Sequence, residues 1–425
     1  MSRTLLRGAH VITMAPHRPD AERADILIDG DSIAGVGEGL EETGAEVVDV
    51  TDRIIMPGLV NAHLHTWQTA LRGVGVDWTL ADYLGRLHGA VARHYRPEDM
   101  RIGTLAGALR QLDRGTTTVG DWCHNTPTPD HTDAALDGLR ASSVRGVFLH
   151  GAPYSAADAA HPVGELDRLP TGPLLTLGMA VRGPQLSTPD TAVADFRAAA
   201  ERGLVVSMHQ SGGEPGLGWE AVRAAGLLSP RTNVVHGAGL TDEWLETLVD
   251  AGASVTCTPE NELGQGHGSP VTGRLQRLGA APSLGTDTDA VTPADVLSAA
   301  RIALAAQRGL DHERHRQATG SFSLTATITA RQALAWATVE GARALGLADR
   351  VGRLETGMQA DLIVIDAPAP NPIAAALHAS AADIEAVMIA GRWRKRDHTL
   401  LDVDLDTVQA HLRESADRLL PHVTG

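Results

Sequence analysis

The residues best suited to carry chemistry lie in one short stretch near the N-terminus. His63 and His65 follow an apolar segment, residues 58–60, and are separated by a single residue. Side chains alternate along a strand, so residues two apart point to the same side and these two imidazoles would converge. Zinc and iron accept neutral imidazole, and two fixed nitrogens supply half of a tetrahedral site. The alternative is a pair of unrelated polar histidines near a turn, because this spacing alone is a weak motif.

Three later apolar segments also end in residues that could serve such a site. His209, His236 and Asp287 each stand at the end of a different segment. Any one of them alone is more often a satisfied polar residue at the end of a strand. Five such residues at equivalent places are hard to attribute to coincidence. Because the carboxyl ends of parallel strands in a barrel share one face, we expect all five side chains to point into one mouth.

Strand-like and helix-like segments alternate along the part of the chain that contains these residues. Thr188 followed by a proline opens a predicted helix that stops at Gly203, and Thr329 with Gln332 forms a capping box for a helix running to near Gly346. Eight parallel strands in about 300 residues are typical of a (β/α)8 TIM-like barrel. The predicted strands are residues 58–60, 116–121, 146–150, 174–180, 204–209, 233–236, 253–258 and 282–287.

The two ends of the chain have a different sequence pattern, which predicts short strands and tight turns. Residues 24–29 and 32–36 flank a Gly-Asp turn, which predicts a hairpin. Residues 362–365 and 385–389 are apolar strands, and 405–420 favour a final helix. We therefore expect a small discontinuous β-sandwich domain, residues 1–56 and 352–425, and a barrel over residues 57–351.

Composition narrows the class of protein. The chain has 425 residues, a net charge of −16 and no long run of one sign, which argues against binding to nucleic acid or an anionic membrane. Neither a signal-peptide pattern nor an apolar window of about 18 residues is present. Cys123 and Cys257 are far apart in the sequence, which indicates free thiols and a cytoplasmic location.

The order of these residues and the short sequence motifs around them resemble the amidohydrolase superfamily, in particular its aminohydrolase and chlorohydrolase branch. Cytosine, guanine and adenosylhomocysteine deaminases and triazine hydrolases belong to that branch. The resemblance extends over nearly the whole chain and includes PGLVNAHLH at 57–65, LGTD at 284–287 and GMQAD at 357–361. It implies that His63, His65, His209 and Asp287 bind a divalent metal, zinc or iron, and that His236 lies beside the metal-bound water.

The lysine content indicates one metal ion rather than two. Binuclear relatives bridge their metals mostly through a carboxylated lysine on the fourth strand. Here the fourth predicted strand has no lysine, and the single lysine of the chain, Lys395, lies in the C-terminal region. The expected cofactor is therefore one divalent ion per chain. Such an ion lowers the pKa of bound water toward ~7, and His236 and Asp287 would handle its proton.

One departure from the resemblance affects the proton donor. Deaminases of the branch carry a glutamate three residues after the fifth-strand histidine, and here that position is Gly212. Three other carboxylates could substitute, although a loop glutamate is solvated in most proteins. We predict Glu260 as the acid because it falls nearest the end of a strand, and we place Glu214 and Glu262 among the substrate-binding candidates.

Several residues on the same face could line a substrate pocket, against the alternative that they pack or face solvent. Trp67 lies just after the His63/His65 motif and could stack on a planar substrate. The other candidates are Gln68, Trp122, His124, His150 and His267.

These observations predict a hydrolase that cleaves a C–N bond of a small, heterocyclic nitrogen compound. Because of Gly212, a second hypothesis is a superfamily member without deaminase activity, which hydrolyses another C–X bond or performs a lyase or cyclisation step. A third is a non-catalytic barrel whose metal site is structural and which binds a ligand or partner. Structural zinc sites are usually closed by four protein ligands, whereas His236 beside an open position favours a catalytic site here. The expected partners are a small-molecule substrate and further copies of the chain in a homodimer or higher homo-oligomer.

Overall fold

The computed structural model describes residues 3–41, 43–367 and 370–423. In this part of the chain the strands are β1 (Arg3–Val11), β2 (Glu22–Asp29), β3 (Ser32–Gly37), β4 (Ala45–Asp49), β5 (Ile54–Pro57), β6 (Leu59–Leu64), β7 (Thr116–Cys123), β8 (Arg145–His150), β9 (Leu175–Ala180), β10 (Val205–Gln210), β11 (Thr232–His236), β12 (Ser254–Cys257), β13 (Ser283–Leu284), β14 (Leu362–Ile365), β15 (Ile384–Ile389), β16 (Arg392–Arg396) and β17 (Thr399–Leu400).

The α-helices are α1 (Leu80–Tyr83), α2 (Pro97–Asp113), α3 (Pro129–Ala141), α4 (Val163–Arg168), α5 (Gly183–Leu186), α6 (Pro189–Arg202), α7 (Leu217–Ala224), α8 (Asp242–Asp250), α9 (Pro259–Gln265), α10 (Thr272–Arg277), α11 (Val296–Thr319), α12 (Ala330–Trp336), α13 (Val339–Ala344), α14 (Pro372–His378) and α15 (Leu405–Leu419). Short 3₁₀ helices span Thr66–Leu71, Ala92–His94 and Leu420–His422, and a π-helix spans Leu84–Val91.

Strands β6 to β13 form one parallel sheet in which sequence neighbours are also spatial neighbours. An isolated parallel bridge between Leu64 and Asp287 joins the first strand to the segment after the last. The sheet is therefore a nearly closed barrel, and the predicted (β/α)8 architecture is confirmed. Its strands are almost entirely buried, as expected when helices cover the outside and side chains fill the inside.

The predicted helix boundaries follow from local capping chemistry. At the start of α6 the Thr188 side chain accepts a hydrogen bond from the Thr191 amide, and Gly203 ends the helix with a φ of 63°. At the start of α12 Thr329 and Gln332 form the predicted capping box.

The prediction of one helix from Thr329 to near Gly346 is wrong in the length of the helix, because the helical conformation is interrupted at Thr338. The structure has two short helices there, α12 and α13, on either side of that residue. The carbonyl oxygen of Ala337 accepts a hydrogen bond from the Val60 amide of barrel strand β6 (2.8 Å), and Gly341 packs closely on Val60. Contact with the barrel therefore overrides local helix continuity.

The strands from the two ends of the chain form a second, nine-stranded sheet. Its order is β17-β16-β15-β14-β5-β1-β2-β3, and β4 pairs with β1. The antiparallel pairing of β5 with β14 brings the two ends of the chain together. The division into a discontinuous β-sandwich domain and a barrel domain stays a prediction. One apolar core lies on this sheet and includes Leu6, Ile26, Ile55, Leu362 and Met388.

The barrel mouth is covered by the segment between β6 and α2, which contains the π-helix Leu84–Val91. π-helical turns are rare and occur frequently at functional sites. Among the described residues, no helix combines the length and apolar character that a membrane crossing requires.

Candidate active site

Four of the predicted side chains converge at the barrel mouth. The ligand atoms of His63, His65, His209 and Asp287 all lie within 4.8 Å of one another, and all four residues are buried. Nε2 of His63 and Nε2 of His65 lie 3.3 and 3.4 Å from the same oxygen of Asp287, Oδ1. Nε2 of His209 lies 3.2 Å from Nε2 of His63. The alternation along β6 therefore brings both imidazoles of the HxH pair to one point.

Contacts behind these residues fix their orientation. His65 donates a hydrogen bond from Nδ1 to the Trp122 carbonyl oxygen (2.8 Å), which leaves Nε2 as the nitrogen with a free lone pair. The Tyr154 hydroxyl lies 3.1 Å from Nδ1 of His209. The Asp287 amide donates to the His63 carbonyl oxygen (3.0 Å), and the His65 amide donates to the Asp287 carbonyl oxygen (2.7 Å).

Burial determines the charge state of the imidazoles. It lowers the pKa of His65 to about 3, helped by the neighbouring His63, and it lowers the pKa of His209 well below its ordinary value. For Asp287 burial opposes ionisation, but the His63 hydrogen bond and the surrounding imidazoles outweigh it and hold the pKa well below its ordinary value. Neutral imidazoles such as those of His65 and His209, together with the ionised Asp287 carboxylate, are donors that suit Zn²⁺ or Fe²⁺.

His236 lies next to this group and also approaches Asp287. One nitrogen of His236, one of His267 and an oxygen of Asp287 lie within 4.8 Å of one another. Burial lowers the pKa of His236 to about 4, with partial opposition from Asp287. Nδ1 of His236 lies 3.0 Å from Oγ1 of Thr258, so its other ring nitrogen is available to the cavity.

Two of these residues hold unusual backbone conformations. His236 has a φ of 71° and Asp287 a φ of 60°, in the left-handed region that residues with a side chain rarely adopt. Such strain concentrates at functional sites because the surrounding structure must enforce it. His236 is the last residue of β11 and Asp287 follows β13, so the turn after each strand directs the side chain into the mouth.

A cavity of 620 Å³ opens over these side chains. Its floor is formed by His65, His209, His236, His267 and Asp287, and its outer wall includes Leu80, Leu84 and Leu186. A volume of this size accommodates a small organic molecule. Arg182 lines the wall, where it donates to the carbonyl oxygens of Pro153 and Tyr154, both at 3.2 Å.

The remaining predicted residues occupy several different positions. Trp122 is buried, with its ring 4.3 Å from that of His209, and it supports the site from behind. Gln68 is buried and donates to the Tyr83 hydroxyl (2.8 Å), so it holds a tyrosine that lines the cavity. Trp67 is fully buried and its ring packs edge-on against Tyr95.

His150 packs away from the cavity, with Nδ1 3.1 Å from Nε2 of His161. Glu214 is exposed and Glu260 is half-buried, and neither lines the cavity. Glu262, by contrast, is fully buried, and its Oε1 lies 3.4 Å from Nδ1 of His236.

The lining residues that the sequence interpretation missed include Tyr83, His88, Tyr154 and Arg182. The chain has only three tyrosines, and two of them line this cavity. The scarcity of tyrosine was therefore a usable signal. His88 had no such signal, because the π-helix that turns it toward His124, with ring centroids 4.9 Å apart, is not visible in the local sequence.

The barrel, its buried ligand set and the adjoining cavity define a metal-binding hydrolase site. Residues 54–394 match the model of the amidohydrolase family. The chain belongs to the amidohydrolase family, and it is a hydrolase that acts on carbon–nitrogen bonds other than peptide bonds.

Relatives match the chain over its full length, and a solved structure shares its fold. The chain is 30% identical to a 5-methylthioadenosine/S-adenosylhomocysteine deaminase of Pelotomaculum thermopropionicum, with 99% of each chain covered. It is 25% identical to a 5'-deoxyadenosine deaminase of Methanosarcina mazei, with 100% of each covered. A zinc-bound adenosine deaminase structure from Xanthomonas campestris superimposes with a TM-score of 0.85 at 24% identity, covering 99% of each chain.

Proposed function

We propose that this protein is a mononuclear, metal-dependent aminohydrolase that releases ammonia from a small, planar nitrogen heterocycle. The observation that carries the proposal is the group His63, His65, His209 and Asp287, which meets at the floor of a 620 Å³ cavity with His236 beside it. In the proposed reaction an amidine N=C–NH2 and water give the lactam HN–C=O and ammonia. The adenosine-type names of the relatives make adenine nucleosides the first substrates to test.

The four ligands would hold one zinc or iron ion, which when bound acidifies a water molecule and supplies a nucleophile at neutral pH. Asp287 is ionised and shares the floor with His236, so these two residues can accept and pass on the water's proton. Tyr83, His88 and Tyr154 present aromatic rings to the cavity, which suits a planar ring system.

A panel assay tests the proposal. Metal-loaded protein would be incubated with adenosine, 5'-deoxyadenosine, 5'-methylthioadenosine, guanine, cytosine and atrazine, and both ammonia and chloride would be measured. We expect ammonia from at least one compound, and Asp287→Asn should reduce its release by at least ~10²-fold. Chloride from atrazine without ammonia from any compound would favour the alternative C–X hydrolysis. Equal rates for the parent and Asp287→Asn on every compound would reject the proposal.

A further inference from the structure

The segment after β12 occupies the space that the side chain of an acidic residue at position 212, just after β10, would need. A Cβ atom added at Gly212 would lie 2.6 Å from the carbonyl oxygen of His267, which is closer than real Cβ contacts allow. The next residue, Gly213, has a φ of 102°, a conformation that favours glycine. A glutamate at 212 is therefore sterically excluded, and a proton donor for the proposed reaction must come from another wall.

The same segment carries a carboxyl group to His236. Glu262 on α9 is 0% exposed, and its Oε1 accepts a hydrogen bond from the Thr258 amide (2.7 Å). Oε1 also lies 3.4 Å from Nδ1 of His236, and the Thr258 hydroxyl lies 3.0 Å from that nitrogen. Thr258 and Glu262 thus hold one ring nitrogen of His236 from behind, on the side away from the cavity.

The environment of Glu262 is costly for a side chain with only a packing role. Its second oxygen, Oε2, is buried and has no hydrogen-bond partner among the described residues. A buried carboxyl without full pairing destabilises the fold unless it keeps its proton. Burial raises the pKa of Glu262 to about 8, against the lowering influence of the Thr258 amide, so this group holds a proton at neutral pH. The titratable groups that act on it or respond to it are His236, His267, His63, Asp287 and Cys257.

We propose that Glu262 is a positioning residue that acts through His236, and that the Glu262–His236 pair supplies the proton which the missing glutamate would otherwise deliver. This inference rests on the proposed function. Glu262 passes its proton to Nδ1 of His236, and the proton on the other ring nitrogen of His236 goes to the departing amine. Of the two protons of the attacking water, one ends on the ring nitrogen of the product and the other restores the pair. The pair therefore finishes each turnover in its starting protonation state.

The substitution Glu262→Gln tests this assignment because it keeps the shape and the acceptor for Thr258 but removes the acidic proton. On the compound of the panel that releases ammonia, we expect kcat to fall by about 10²-fold or more. KM should change by less than about threefold, since Glu262 is fully buried behind His236 and does not line the cavity. The pH profile should lose the limb that reports the Glu262 proton, and the metal content should equal that of the parent.

Glu260→Gln on the same helix is the matched comparison, because it tests the acid predicted from the sequence. Glu260 is half-buried and outside the cavity lining. If Glu262 acts as proposed, the Glu262→Gln loss exceeds the Glu260→Gln loss by at least tenfold. A kcat for Glu262→Gln within about threefold of the parent overturns the proposal, as does a larger loss in Glu260→Gln.

A stability measurement tests the pair independently of turnover. The pKa of Glu262 rises from 4.5 to about 8 on folding, so the folded state binds its proton more tightly than the unfolded state does. The stability contributed by that proton is complete below pH 4.5 and is lost as the pH rises toward 8. The melting temperature of metal-loaded Glu262→Gln relative to the parent should therefore rise between pH 5 and pH 8, within that same window.

A difference in melting temperature that does not change over this range overturns the inference even if the panel shows ammonia release. If no compound releases ammonia, the proposed function fails, and the melting temperatures still decide whether Glu262 carries the buried proton. The two failures are thus distinguishable.

Discussion

At the scale of single residues, the site contains several imidazoles that burial keeps neutral. Burial lowers the pKa of His88 to about 3, as it does for His65, and lowers that of His124 well below its ordinary value. Nε2 of His88 and Nε2 of His124 are buried, and within the part of the chain that the structure describes neither has a hydrogen-bond partner. Uncharged nitrogens with open lone pairs are what a metal ion or a nitrogen heterocycle requires.

Replacing one ligand tests the metal assignment. Purified parent protein should contain about one divalent ion per chain by elemental analysis, because His63, His65, His209 and Asp287 form a single buried group of ligands. His63→Ala should lose most of that metal and release no ammonia. A chelator should lower the melting temperature of the parent and leave that of the variant unchanged, because ligand binding stabilises only a folded site.

His17→Ala is the control for this experiment, since the His17 side chain is 76% exposed and is not one of the site residues. It should retain the metal content and activity of the parent. Two tightly held ions per chain in the parent would contradict the mononuclear proposal.

At the scale of secondary structure, close approach between elements sets where the site residues lie. Helix α2 packs under the 3₁₀ helix Thr66–Leu71, because a Cβ atom on Gly103 would lie 2.6 Å from the carbonyl oxygen of Trp67. Helix α3 packs equally closely on α2 through Gly138, where an added Cβ would lie 2.4 Å from the carbonyl oxygen of Arg101. These contacts leave no room for a methyl group.

Gly138→Ala should therefore destabilise the protein by roughly 1–3 kcal/mol, because overpacking forces two helices apart. The measurement is the free energy of unfolding from a urea titration. The matched control is Gly164→Ala in α4, where an added Cβ meets no atom within 4 Å. That control should be neutral or stabilise by roughly 0.4–1 kcal/mol through the unfolded state. Equal effects from both substitutions would contradict the packing argument.

At the scale of the whole molecule, ion pairs join the barrel to the sheet formed by the chain ends. Arg145 on β8 donates to Asp361 from Nε (2.7 Å) and from Nη2 (2.9 Å), and both side chains are 1% exposed. Asp361 also accepts from the Ala390 amide (2.8 Å). Lys395, buried at 2% exposed, contacts Asp113 at the end of α2 (2.8 Å). The single lysine of the chain is thus used for this junction and not for the metal site.

Arg145→Met should lower the free energy of unfolding by roughly 3–5 kcal/mol, because it leaves the Asp361 carboxylate buried and unpaired. Arg168→Met is the control, since Arg168 pairs with Asp133 at a surface where 34% and 52% of the two side chains are exposed. An exposed pair of this kind contributes about 0–1 kcal/mol. Urea titrations of both variants measure the difference, and similar losses would show that the buried ion pair stabilises the fold no more than an exposed one.

A homodimer or larger assembly stays a prediction, which light scattering would test.

The barrel architecture and the four side chains that meet at the barrel mouth could be predicted from the sequence. Strand periodicity and the rule that strand ends share one face are local and topological regularities, so His63, His65, His209 and Asp287 could be located without coordinates. The tertiary structure alone decided which carboxyl group lies beside His236. Glu260 and Glu262 are two residues apart on one helix, and only the packing of α9 buries Glu262 and leaves Glu260 half-buried. The same holds for His88 and Tyr154, whose approach to the site depends on segments that carry no period, so their positions are set by contacts distant in sequence.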